Sequence, residues 1–128
     1  MAKSSKKPIE TQYLKIKLED GIIFCEFTHK LNMDLDIAKH CVIERLAYSN
    51  GQSYPCLINM KKIKSLSKEA REYLAKEGTQ LVTVGAILSH STFTRLIANI
   101  FLTVNKPKVP TKLFNDEQVA IEWLKKYL

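Results

Sequence analysis

What the chain lacks narrows its class before any motif is sought. It has no run of about 18 uninterrupted apolar residues, so no membrane span is expected. The most apolar stretch, Thr83 to Lys108, is broken by Ser89-His90-Ser91-Thr92 and carries Arg95 and Asn99 in its second half. Glycine and proline number only four each, which excludes a fibrous repeat and a low-complexity tract. The cysteines are three, an odd count. Cys25, Cys41 and Cys56 lie far apart, each in an apolar segment, and read as reduced, buried thiols. They form no C-x-x-C pair, and His29, His40 and His90 form no H-x-x-x-H pair, so neither a metal nor another cofactor is expected. No apolar segment follows the charged start. A cytoplasmic protein is therefore expected, with a flexible basic tail over residues 1–9 and a single domain over residues 10–128.

What is present suits an ordinary folded domain. Of 128 residues, 45% are hydrophobic and 26% charged, enough for a core without disulfides or metal. The formal net charge is +7, which raises the question of nucleic acid. Lys3, Lys6 and Lys7 sit in the tail, and the only other cluster is Lys61, Lys62 and Lys64. No stacking aromatics are interleaved with them. A solvated surface explains the charge better, and nucleic-acid binding is kept only as a second alternative.

Periodicity gives the elements. Glu10 to Leu18 alternates, with Leu14, Ile16 and Leu18 on one face, as in a half-exposed strand. Glu19-Asp20-Gly21 is a turn, and Ile22 to Thr28 returns as the second arm of a hairpin. A helix capped by Asn32 or Asp34 runs to about Ser49, burying Leu35, Ala38, Cys41, Val42 and Leu46, and ends at Asn50-Gly51. Tyr54 to Met60 is a short apolar strand. Ser67 opens a second helix that ends at Gly78. Val84 to Leu88 is a strand buried on both faces, followed by a helix with Phe93, Leu96, Ile97, Ile100, Phe101 and Val104 in one stripe, predicted to face the core. Thr94, Ala98 and Leu102 form a second, weakly apolar strip on it. Thr111 to Phe114 is the last strand, and Asn115 caps a final helix lined by Ala120, Trp123, Leu124, Tyr127 and Leu128. The order β-β-α-β-α-β-α-β-α predicts an α/β fold with about four helices and a mixed, mostly parallel sheet that opens with an antiparallel hairpin.

Three passages resemble one superfamily: Asp20-Gly21-Ile22-Ile23; Ala86-Ile87-Leu88 followed by Ser89, Arg95 and Asn99; and Lys112-Leu113-Phe114 with Ala120 and Trp123-Leu124. Their order over residues 10 to 128 resembles the SpoIIAA-like, or STAS, superfamily in its single-domain bacterial branch. The resemblance implies a non-enzymatic regulatory or protein-interaction module, with another protein as partner and a homodimer as an option. It also implies a serine or threonine switched by phosphorylation before the helix after the third strand. Ser65 and Ser67 stand there, but Asn59 replaces the usual aspartate and the Asp-Ser-Ser-Gly signature is missing. Without the family, Ser67 is a helix cap. A related branch resembles Sec14-like lipid carriers, which makes a lipid- or nucleotide-binding domain the first alternative.

Two further groups are candidate sites. Asn59, Lys61, Lys62 and Lys64 lie before a helix start, where an anion or acidic partner could dock. Ser89, His90 and Ser91 lie at the carboxyl end of a central strand, with Arg95 and Asn99 on the helix that follows, a usual ligand or partner position in open α/β sheets. No G-x-S-x-G elbow or orienting acid accompanies Ser89 and His90, so these residues read as caps and turns, and no catalysis is expected.

Overall fold

A computed structural model describes residues 5–128. Eight strands and four α-helices follow in the order β1 (Lys6–Glu10), β2 (Leu14–Glu19), β3 (Ile22–Phe27), β4 (Leu31–Met33), α1 (Leu35–Ser49), β5 (Tyr54–Asn59), β6 (Ile63–Leu66), α2 (Lys68–Lys76), β7 (Val82–Leu88), α3 (Thr92–Ile100), β8 (Thr111–Phe114) and α4 (Glu117–Lys125). A single 3-10 turn, Glu77–Thr79, follows α2, and a π-helical turn, Phe101–Asn105, extends α3. The main sheet has the order β1-β2-β3-β5-β7-β8. β1, β2 and β3 pair antiparallel, and β3, β5, β7 and β8 pair parallel. This is the mixed, mostly parallel sheet with an opening hairpin that the sequence predicts.

Local chemistry explains the junctions. Asp20 and Gly21 take φ of 53° and 81°, the two successive left-handed residues that a tight hairpin turn needs. The Asp34 side chain accepts the Ile37 N–H at 2.9 Å and starts α1, while Asn50 at φ 50° ends it. The expected cap of α4 moves by one residue. Asp116, not Asn115, accepts the Val119 N–H, at 3.0 Å, because a carboxylate at that place also meets the positive end of the helix dipole.

The helices divide unequally between the two faces. Each of the crossovers β3-α1-β5, β5-α2-β7 and β7-α3-β8 steps one strand in the same direction, so the three helices share a face. Their core includes Leu14, Ile16, Cys25, Phe27, Ala38, Cys41, Ala70, Ile87 and Ala98. α4 covers the opposite face with Ala120 and Leu124, against Ile22, Leu57, Val84, Ala86, Leu88 and Phe114. Among the described residues no helix is long and apolar enough to cross a membrane.

Three expectations change. Lys6 to Ile9, read as part of a flexible tail, belong to an edge strand; residues 1–4 lie outside the described residues. Tyr48 of α1 anchors that strand, accepting the Leu18 N–H at 2.9 Å and donating to the Lys7 carbonyl at 3.1 Å. Pro8 is compatible with it because an outer edge has no ladder partner to lose. Second, β4 and β6 form a small parallel pair of their own, in two stretches to which the sequence pattern assigns no strand.

The third change concerns α3. Phe93, Leu96 and Val104, expected to face the core, are 56%, 59% and 68% exposed. Thr94 and Ala98, the supposed secondary strip, are buried instead. The first turn sets this rotation. Ser91 caps α3 by accepting the Thr94 N–H at 3.1 Å, and the Thr94 hydroxyl bonds to the buried Ser89 hydroxyl at 2.5 Å. With Thr94 tied inward, Ala98 one turn later follows it; Ile97 and Phe101 of the predicted stripe do pack on the core, while Phe93, Leu96 and Val104, about a third of a turn or more from Thr94 and Ala98, face outward.

Candidate functional site

The carboxyl ends of β5, β7 and β8 converge beside the start of α3. Asn59 ends β5, Ser89 follows β7, and the Ser89 N–H donates to the Phe114 carbonyl at the end of β8, at 2.9 Å. Here Ser89 and Ser91 are joined through Thr94. Their geometry is that of a cap. Ser89 is fully buried, and its hydroxyl is shared between Thr94 and the Ser91 carbonyl, at 2.5 and 3.2 Å. Ser91 engages both the N–H and the hydroxyl of Thr94. His90, Arg95 and Asn99 are exposed, and no hydrogen bond joins His90 to either serine among the described residues. A buried hydroxyl without a base beside it is not an activated nucleophile.

The second group is not assembled as expected. Asn59 folds back on its own loop, its Oδ1 accepting the Lys61 N–H at 2.9 Å. Lys61 and Lys62 lie in the turn before β6, and Lys64 lies within it. Thus a four-residue strand, spanning about 10 Å, separates that turn from the start of α2. Lys62 is further occupied, donating to the Thr28 carbonyl at 3.4 Å. Ser65 and Ser67 differ sharply in their surroundings. The Ser67 hydroxyl caps α2, accepting the Ala70 N–H at 3.1 Å. The Ser65 hydroxyl is exposed and donates to Asn32 Oδ1 at 2.9 Å, on the neighbouring β4.

The most unusual surface is one that the sequence reading turned inward. Phe93, Leu96 and Val104, with the half-buried Ile100, line the outer side of α3 and its π-helical extension. Their spacing of three and four residues keeps them on one stripe. The sequence carried the signal, in the strong apolar periodicity of this segment. It lacked the azimuth, which depends on the contact between Ser89 and Thr94. Arg45 was also missed. It lies on the buried face of α1 in register with Ala38, Cys41, Val42 and Ser49, a charge inside an apolar spacing.

Comparison with known proteins places this geometry. An uncharacterized protein of the DUF3478 family with a SpoIIAA-like fold, from Shewanella loihica PV-4, superposes with a TM-score of 0.62 at 14% identity, covering 93% of this chain and 99% of that chain. A protein with unknown function from Arthrobacter sp. FB24 is 24% identical over 86% of this chain and 97% of that chain, with a TM-score of 0.35, too low to inform the fold. No curated protein matches the chain. The fold is thus SpoIIAA-like, and with residues 16–128 matched the chain belongs to the family described as "Domain of unknown function (DUF7793)".

Proposed function

We propose that the protein is a non-enzymatic, cytoplasmic regulatory module that binds another protein through the outer face of α3. The observation that carries this reading is the exposure of Phe93, Leu96 and Val104 along one stripe, where nothing in the fold requires large apolar side chains. Such a stripe, with an aromatic at one end, has the composition of an interface centre. Arg95, Lys106 and Lys108 are exposed on the same segment, and the chain carries a net charge of +7. Two copies would repel each other, so the favoured partner is a different protein with an acidic rim around an apolar centre. Ser65 is the serine we assign to regulation. Its hydroxyl is accessible, and β6 packs near α3, so a phosphoryl group of nearly two negative charges there would alter the field at the docking face.

The test is quantitative recovery of partners from the protein's own cells at physiological salt, comparing wild type with the double variant Phe93→Ser, Leu96→Ser. The reading predicts a stoichiometric protein lost about tenfold or more from the variant, as expected for removal of interface hot spots. The variant keeps its circular dichroism spectrum, and the same mass spectra report phosphate on Ser65. Equal recovery from both would sink the docking face.

A further inference from the structure

The sheet and the three helices on its larger layer do not close completely. Between them lies a cavity of about 150 Å³, with Leu14, Phe27, Met33, Met60, Ile87 and Phe101 among its walls. One charged side chain belongs to the same lining. Arg45 is only 5% exposed. Its Nη2 donates to the Gly78 carbonyl at 3.1 Å, while its buried Nη1 has no hydrogen-bond partner among the described residues.

Among the described residues no acidic side chain pairs with this guanidinium. The ion pairs among the described residues are Lys17–Glu19 and Lys125–Glu122, both at the surface. Glu44 precedes Arg45, but its carboxylate is not bridged to Arg45, and one of its oxygens is itself buried without a partner. The thiols beside Arg45 cannot serve as the counter-ion. Burial pushes the Cys56 thiol up to about 11 and the Cys25 thiol higher still, although Arg45 pulls against both shifts. A guanidinium stays protonated at any ordinary pH. A buried cation without an anion is costly, and pairing with a carboxylate through two parallel N–H···O bonds is the arrangement that best offsets that cost.

We propose that this cavity is a binding site for a small carboxylate with an apolar body, the carboxylate paired with Arg45 and the body among the aliphatic, aromatic and methionine side chains. The volume sets the size. An apolar cavity of about 150 Å³ takes a molecule such as benzene, so the ligand has roughly six to nine non-hydrogen atoms. An aromatic acid or a short-chain fatty acid meets both conditions. A nucleotide or a two-chain lipid is too large.

The experiment is calorimetric titration of the full chain with benzoate and hexanoate, each compared with its neutral counterpart, benzyl alcohol or 1-hexanol, and with hexadecanoate. The proposal predicts one-to-one binding of at least one small acid, at least tenfold tighter than that of its alcohol. Arg45→Met, which keeps length and removes charge, abolishes that preference and leaves alcohol binding in place. The wild-type comparison stands even if the variant fails to fold. Alcohols that bind as well as the acids, no binding by any small probe, binding of hexadecanoate alone, or an undiminished preference in Arg45→Met would each overturn it. The cavity lies on the inner side of α3, so these results are independent of the docking reading for its outer side.

Discussion

Truncating the same side chain at two places separates an outward-facing α3 from an inward-facing one. Leu88, at the end of β7, is fully buried, whereas Leu96 on α3 is 59% exposed. For Leu88→Ala the lost transfer energy and the residual cavity together give about 3–5 kcal/mol of destabilisation. At Leu96, full burial of the side chain would be worth about 1.5–3 kcal/mol, and only roughly two fifths of the residue is covered, so the loss is about 1 kcal/mol at most. The higher helix propensity of alanine reduces it further. Trp123 is the only tryptophan, packed 5.4 Å from Phe114 and 5.2 Å from Tyr127 between ring centroids, and its fluorescence reports urea unfolding. With a urea slope of about 1–3 kcal/mol per molar, Leu88→Ala lowers the midpoint by about 1–5 M, whereas Leu96→Ala moves it by a few tenths of a molar to about 1 M at the lowest slope, so at any one slope the first shift is at least about three times the second. Equal losses at the two positions would show that the stripe is core and that the docking argument has no basis.

Two further outcomes follow from the polar groups. Ser91→Ala removes the cap of α3 and one partner of the Thr94 hydroxyl, and costs about 1–2 kcal/mol in the same urea assay; a loss below a few tenths would mean that the cap does not set the rotation of α3. The thiol shifts predict weakening in alkali. Burial raises Cys56 to about 11 and Cys25 further, so above about pH 9 the unfolded chain releases protons that the folded chain retains. That stability is fully present below pH 9 and is lost as pH rises, by up to about 1.4 kcal/mol per pH unit for each thiol until its folded-state value is reached. Urea unfolding at pH 8, 9 and 10 of wild type and of Cys25→Ala checks this: the variant has the shallower decline, and parallel declines would contradict the burial of that thiol.

Much of the sheet is legible in the sequence because its signals are local. Leu14, Ile16 and Leu18 alternate and are buried, and Asp20-Gly21 supplies the turn. Asp34 and Ser67 cap the helices they precede, as their residue types suggest. The failures are those of tertiary context. Lys6 to Glu10 carry no apolar alternation, and their strand depends on Tyr48, about forty residues away. Ile63 to Leu66 are too few to show a period, and their partner β4 is a three-residue strand. Apolar periodicity identified α3 as amphipathic without indicating which side met the sheet, because a buried hydroxyl pair, Ser89 and Thr94, made that choice. The candidate clusters fared accordingly. Residues close in sequence, Ser89 and Ser91, stay together, while the lysines are divided by β6 from the helix start expected to accompany them.

The most direct test of the docking face is photo-crosslinking in the protein's own cells, with a photoreactive phenylalanine analogue at position 96 and, as control, at the exposed Lys39 on α1. The account predicts a single heterologous protein adduct from position 96 and none from position 39. No adduct at position 96, equal adducts at both positions, or an adduct only with a second copy of the chain would contradict it.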